Sequence, residues 1–341
     1  MESISVVIPT YNRAHLIGRA VASALAAMAP GDELIVVDDG STDSTADALA
    51  PFTDRIRYFR TDNRGAGPAR NHGVERAQHK LIAFLDSDDE WMPEGLFLKR
   101  SVMSARPDLV FCFTDFANTG EDGTTTRNYL VNWHHDGRDW DEILGPGQAF
   151  SSIAPLPAGT PDFQVHTGDM YPLLLQQPYV AAWTSIVRRT VAGSDFQFGE
   201  DFQTTEDWSC FGRIARRGPA AYLDCETAWN HGHSGPRLTS NAGTIGYLND
   251  HLQLAQRIWG QDPDFLNHHE QLYARVIASI HLKRARWNLS RGLTVAARAD
   301  LAVAGASAPR SLKLLAALPG TLLRIAGNVR RRAIRTAGRT R

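Results

Sequence analysis

An apolar run, Leu81 to Leu85, ends in Asp86-Ser87-Asp88-Asp89. Three carboxylates within four residues repel one another, so a neutralising cation is favoured. Carboxylate oxygens are hard ligands that suit Mg²⁺ or Mn²⁺. Magnesium takes one or two protein carboxylates and completes its shell with water and substrate phosphate. The string therefore fits a metal shared between the protein and a diphosphate. Taken alone, it equally fits the cap of a helix beginning near Pro93, with acids before the first turn and proline within it. A second cluster, DDGSTDST from Asp38 to Thr45, offers carboxylates able to accept hydrogen bonds from a nucleobase imide or ribose hydroxyls. Its other reading is an Asp-Gly turn followed by helix N-caps. A third, NRGAGPARNHG from Asn63 to Gly73, joins glycines to Arg64 and Arg70. It reads as a turn before a helix, or as a loop whose backbone and arginines approach phosphates. GxGxxG and GxxxxGK[ST] are both absent, which disfavours a nicotinamide-dependent oxidoreductase and a phosphate-loop enzyme.

The elements around these strings decide where they stand. Short β-branched runs recur at Ile4–Ile8, Leu34–Val37, Ile56–Phe59, Leu81–Leu85 and Leu109–Phe113. Between the first two, Leu16, Ile17, Ala20, Val21, Ala24, Leu25 and Met28 follow helical spacing. Further helices are expected from near Ser44, over Ala69–Ala77, and over Pro93–Ala105. This alternation predicts an α/β fold with a mostly parallel sheet flanked by helices. Open sheets of that kind bind ligands beyond the carboxyl ends of their strands. PTYNR (Pro9 to Arg13), DDGSTDST and DSDD all fall at such ends. Residues 115–178 are rich in Gly, Pro, Thr and aromatics and read as long loops. A strand is expected over Val180–Val187. A helix should start near Glu206 and stop at Gly218. From Tyr247 to about Ala304 the pattern is helical.

In this order and spacing, VVIPTYNR, VVDDGSTDST, the string around ARN and FLDSDD resemble the family 2 glycosyltransferases of the GT-A fold. The resemblance covers residue 3 to about 240. It implies a nucleotide-sugar donor, usually UDP-linked, with Pro9, Thr10, Tyr11, Arg13 and Asp39 around base and ribose. It implies Arg70 near the nucleotide, Asp86 on the ribose and Asp88 on Mg²⁺ or Mn²⁺. Thr205–Trp208 (TEDW) matches the family's helix-starting acidic pair, so Asp207 takes the position of the base and Glu206 stands beside it. A base there would accept the proton of the attacking acceptor hydroxyl; the other reading is acid placement favoured by the helix dipole. In WNHGHSGPRLTS the register to Leu238-Thr239 favours His233 over His231 as the metal- or diphosphate-binding histidine, although Trp229-Asn230 departs from the family pattern.

The chain has 341 residues, 43% hydrophobic and 21% charged, which is ordinary globular composition. Its three cysteines show no CxxC pair, so neither a disulfide framework nor a zinc site is expected. The N-terminus lacks the basic and apolar regions of a signal peptide, and the expected setting is cytoplasmic. From residue 301 on there are nine Arg/Lys and no Asp/Glu, leaving 27 basic against 37 acidic residues before it. An apolar stripe of Leu312, Leu315, Leu322, Leu323, Ile325 and Val329 precedes the arginines. Such a segment suits an anionic bilayer surface, at the inner face of the cell membrane; a helix packed on the body with a basic end is the alternative. Aromatics do not interleave with these arginines, which disfavours nucleic acid. The expected organisation is a catalytic domain over 1–240 (nucleotide half 1–115, acceptor half 116–240), a helical extension over 241–305 and a basic tail over 306–341. The expected reaction is inverting transfer to a hydroxyl of a glycan or lipid-linked glycan in cell-surface polysaccharide synthesis. A non-catalytic sugar-nucleotide-binding scaffold is the alternative. Trp133, Trp140, Tyr171 and Trp183 are candidates to stack on sugar rings, or core residues.

Overall fold

A computed structural model describes residues 1–130, 138–202, 205–232 and 244–319. The chain divides into two compact units, Met1–Leu238 and Thr239–Arg341. The first is built on one mixed sheet of strands β1 (Ile4–Thr10), β2 (Glu33–Asp38), β3 (Arg57–Arg60), β4 (Leu81–Phe84), β5 (Glu90–Trp91), β6 (Phe111–Thr119), β7 (Thr125–Thr126), β8 (Gln148–Ala149), β9 (Gln164–Gly168), β10 (Ile186–Arg188) and β11 (Ala220–His231). The order is β3-β2-β1-β4-β10-β6-β11-β9-β8, with β5 on β11 and β7 on β6. The longer helices of this unit are α1 (Ile17–Ala27), α2 (Ala66–Arg76), α3 (Gly95–Ala105) and α4 (Glu206–Ile214).

The parallel half follows from its residues. β1 is buried along its whole length, and β4 likewise. Strands covered on both faces need apolar side chains throughout, and each fully buried Val, Ile or Leu contributes about 1.5–3 kcal/mol. β3, at the edge, alternates half-buried and exposed residues. Strand β1 pairs in parallel with β2 on one side and β4 on the other. The chain therefore leaves β1 towards β2 and β3, then returns to its opposite side. In open sheets such a reversal is where a crevice beyond the carboxyl ends of the strands accepts ligands. Helix α2 lies on β1 and β2. A Cβ on Gly73 would stand 2.3 Å from Val7 Cγ1, so this contact needs a glycine.

The second half departs from the sequence expectation in three places. Residues 115–178 carry more regular structure than expected between their loops: β6 continues to Thr119, β8 and β9 extend the sheet, and helical turns occupy Trp140–Leu144 and Tyr171–Leu174. Trp140, Tyr171 and Trp183 are buried; Trp140 stacks on Tyr222. They serve the core, and Trp133 lies outside the described residues. Within Val180–Val187 only the end is strand, because Ala182–Thr184 forms a 3₁₀ turn. A continuous apolar run cannot distinguish a buried strand from a buried turn. The longest strand, β11, was not expected. Its register on β6 shifts between Leu223 and Glu226 and again between Glu226 and Trp229. Those bulges break the two-residue period by which a strand is recognised.

The second unit contains α5 (Ile245–Leu254), α6 (Pro263–Leu289), α7 (Thr294–Ala304) and α8 (Arg310–Ala317). Ala285, Leu289, Ala297, Leu301, Ala304, Ala308 and Ala316 form its small-residue core, with Leu282 and Leu312 packed on it. Asp300 is buried among them, accepting from Asn288 Nδ2 (3.0 Å), bonded to His281 Nδ1 (2.8 Å) and paired with Arg284. Leu312 thus turns inward, whereas Leu314 and Leu315 are exposed. The rest of the expected apolar and arginine stripe lies outside the described residues. No described helix is long and apolar enough to cross a membrane.

Candidate active site

The loops after β1 and β2 are locked together. Asn12 has left-handed backbone (φ 51). Its Oδ1 accepts from the backbone N–H of Thr42 (2.8 Å) and Asp43 (3.3 Å), and its own N–H donates to Ser41 Oγ (2.9 Å). The Arg13 N–H donates to Thr45 Oγ1 (3.0 Å). Asp38 turns inward, accepting from Ser41 N (2.7 Å) and Tyr58 Oη (2.6 Å). Burial and the Asp38 carboxylate push the Tyr58 hydroxyl up to about 12. Asp39 is buried and accepts from the N–H groups of Arg64 (3.0 Å) and Gly65 (2.7 Å), tying the β2 end to the start of α2. Burial raises its pKa, against the pull of those N–H groups. At the end of β1, Pro9 and Thr10 are buried and Tyr11 is exposed. The Thr10 hydroxyl is buried without a hydrogen-bond partner among the described residues.

Helix α2 presents Arg70 and Asn71 to the second half of the unit. The Arg70 guanidinium donates to Asp86 Oδ1 (2.6 Å) and to Glu206 Oε1 (2.9 Å), and it stands over the Phe198 ring. Asn71 holds both backbone groups of Phe198, donating to its carbonyl (3.0 Å) and accepting from its N–H (2.7 Å). A Cβ on Gly67 would come within 2.8 Å of the Gly199 carbonyl oxygen. The Gly-Arg-Asn string is thus a helix that clamps β4 to the segment before α4. Gly67 and Gly73 serve close packing, Gly65 takes a left-handed backbone (φ 101), and the two terminal nitrogens of Arg70 carry carboxylates.

The DSDD carboxylates separate into three environments. Asp86 is held by Arg70; burial and the neighbouring Asp88 charge raise its pKa, opposed by Arg70. Asp88 is a quarter exposed, with Arg13 Nε 3.6 Å away, and its carbonyl accepts from Arg19 Nη2 (2.7 Å). Asp89 points inward, accepting from Asn230 Nδ2 (2.9 Å) and the His231 N–H (3.2 Å). Burial together with the charges of Asp88 and Asp86 holds its carboxyl well above the usual range. Asp89 therefore pins the end of β11. His231 Nε2 lies 3.2 Å from Glu90 Oε2; His233 is outside the described residues. Among the described residues, no three His, Cys, Asp or Glu side chains are grouped to hold a metal.

At the N-terminus of α4, Glu206 is buried and paired with Arg70, its pKa raised by burial against that cation. Asp207 accepts from the Trp208 N–H (2.7 Å). Burial first, then the Glu206 charge, lifts its carboxyl to about 7. One network, Asp86–Arg70–Glu206–Asp207, thus joins the β4 end to the α4 start.

Residues 5–151 match the model of Glycosyl transferase family 2. Over this segment, less than half of its length, the chain is similar to glycosyl transferase family 2. A putative teichuronic acid biosynthesis glycosyltransferase of Bacillus subtilis is 38% identical over 131 residues, covering 37% of this chain and 52% of that protein. The chain thus spans about half the length of that curated relative. Two solved structures share the fold across most of the chain. TarS 1-349 of S. aureus, in complex with UDP-GlcNAc, has a TM-score of 0.56 at 16% identity, covering 92% of this chain and 83% of its own. The mannosyltransferase PcManGT of Pyrobaculum calidifontis, in complex with GDP-Man and Mn²⁺, has a TM-score of 0.54 at 17% identity, covering 92% and 78%.

The family 2 match contains Pro9, Thr10, Tyr11, Arg13, Asp39, Arg70, Asp86 and Asp88, and stops before Glu206, Asp207 and His233. The sequence reading missed the residues that fix the loops: Asn12, Ser41, Asp43 and Thr45. Their only signal was turn and cap chemistry. It also missed Glu206 as the partner of Arg70, since a pairing across 136 residues leaves no local pattern.

Proposed function

We propose that this chain is a metal-dependent inverting glycosyltransferase that moves a sugar from a nucleotide donor, UDP-linked, to a hydroxyl of a glycan or lipid-linked glycan in cell-surface polysaccharide assembly. The observation that carries this reading is the buried Arg70 bridge, which sets an acidic strand end and a near-neutral carboxyl in one network. The curated relative's putative role in teichuronic acid synthesis supports the acceptor class. The nucleotide sugars bound in the two solved structures, UDP-GlcNAc and GDP-Man, support a nucleotide-sugar donor.

In this reading the interlocked loops after β1 and β2 grip base and ribose through Pro9, Thr10, Tyr11, Arg13 and Asp39, and Asp86 serves the ribose. Arg70 acts as a positioning residue, setting Asp86 on one side and Glu206 on the other. Asp207 accepts the proton of the attacking hydroxyl. Among the three aspartates, Asp88 suits Mg²⁺ or Mn²⁺: its carboxylate is partly exposed, whereas Asp89 is committed to β11 and Asp86 to Arg70. One or two protein carboxylates suffice when water and phosphate complete the shell. Bound there, the ion would supply positive charge for the departing diphosphate. His233 is the proposed further ligand.

The test is transfer and hydrolysis of UDP-sugars with Mn²⁺, with and without EDTA. Asp207→Asn should keep UDP binding and lose transfer by about 10²–10⁴-fold, the usual worth of a general base. Asp88→Ala should weaken Mn²⁺-dependent UDP binding itself. Wild-type rates in both variants would end these assignments. UDP binding without turnover in the wild type would favour the scaffold reading.

A further inference from the structure

A concavity lies in the same unit, lined by none of the residues of the carboxylate network. Along β11 the antiparallel partner changes: β9 pairs with Ala220–Leu223, and β5 pairs with Ala228–Trp229. Between these stretches, no described strand pairs with β11 on that side, and the double bulge falls there. A cavity of about 590 Å³ opens in the gap, within the size range of small-ligand sites. Leu98 and Cys225 line it together with Phe163, Thr160, Asn128 and Asp224.

The walls are fixed. The start of α3 is pressed onto β11, where a Cβ on Gly95 would stand 2.7 Å from the Thr227 carbonyl oxygen. Asn128 has left-handed backbone (φ 48), and its N–H donates to Glu226 Oε1 (2.7 Å). Arg127 pairs with Glu226 and stands over the Trp229 ring. Phe163 stacks on Phe150. The lining thus combines an apolar floor, an aromatic ring and four carboxylates, Glu94, Asp162, Asp224 and Glu226, with the single cation, Arg127, already committed to Glu226. That composition opposes an anion and suits an uncharged, hydroxyl-rich ring.

We infer that this cavity holds a sugar residue of the acceptor, remote from the hydroxyl that reacts. The inference rests on the glycosyltransferase reading. Strand β11 connects the two places: Glu226 lines the cavity, and five residues on, His231 meets Asp89 and Glu90. At about 3.3 Å per residue the separation is roughly 16 Å, a span that a short oligosaccharide covers.

The experiment is saturation-transfer NMR on the full chain with methyl β-D-glucoside and methyl N-acetyl-β-D-glucosaminide. Asp224→Ala and Thr160→Trp are compared with wild type, alongside UDP-sugar hydrolysis with Mn²⁺. Saturation of at least one glycoside is expected, with binding at least about fivefold weaker in both variants, the scale of one lost hydrogen bond. Hydrolysis should be unchanged, which also shows that the variants fold. Saturation of neither glycoside, or equal saturation in the variants, overturns the cavity assignment. Absence of wild-type hydrolysis instead overturns the reading on which it rests.

Discussion

Asp207 and Arg70 are the residues whose chemistry is most constrained by their surroundings. A carboxyl lifted to about 7 is half protonated near neutrality, and only its ionised form can accept a proton. The expected outcome is a transfer rate, as kcat/KM, that climbs about tenfold per pH unit below about 7 and flattens above it. A flat profile from pH 5 to 8 would remove Asp207 from the proton transfer. Arg70 makes a different prediction. Replacing it with methionine strands Asp86 and Glu206 together, both without their cation. Breaking a buried pair in this way costs about 3–5 kcal/mol, read as a lower midpoint in chemical denaturation. The double variant Arg70→Met/Glu206→Gln should recover part of the loss, because one stranded charge is then gone. No recovery would mean that Arg70 acts mainly through its packing on Phe198.

Among the elements, α2 and β11 carry most of the arrangement. Helix α2 meets β1 through Gly73 and the α4 segment through Gly67, with Arg70 and Asn71 between. Gly73→Ala would gain up to about 1 kcal/mol of helix propensity. The added methyl, however, would fall 2.3 Å from Val7 Cγ1, inside a strand that cannot yield. Overpacking of this kind costs about 1–3 kcal/mol, so a net loss of stability is expected in denaturant titration. Unchanged stability would show that α2 can lift from the sheet. Strand β11 does two jobs that a regular strand could not. Its bulges end the pairing with β9, and its last residues reach Asp89 and Glu90.

At the scale of the molecule, the two units carry different charge. The last 41 residues hold nine Arg/Lys and no acid, and Leu314 and Leu315 are exposed on α8. We propose that this end contacts an anionic bilayer, where each basic residue near the surface contributes about 1 kcal/mol at low salt. The full chain should cosediment with phosphatidylglycerol vesicles, and less so as salt rises. A chain ending at Pro319 should stay in the supernatant while hydrolysing UDP-sugar at an unchanged rate. Equal sedimentation of both would place the contact elsewhere.

The parallel half of the sheet was legible in the sequence because its order is local. Apolar runs buried on both faces, helical spacing between them and polar strand ends specify β1, β2 and β4 without reference to distant residues. The four motif strings placed Asp39, Asp86 and Asp88 at one edge for the same reason. Local pattern did not reach the pairing of Arg70 with Glu206, the inward turn of Asp89, or β11 with its change of partners. Each depends on chain segments distant in sequence, from about 50 to over 140 residues apart, coming together in the fold. Only the tertiary structure brings those segments together, and burial there, not residue type, sets which carboxylate is paired, which pins a strand and which has its pKa raised towards neutrality.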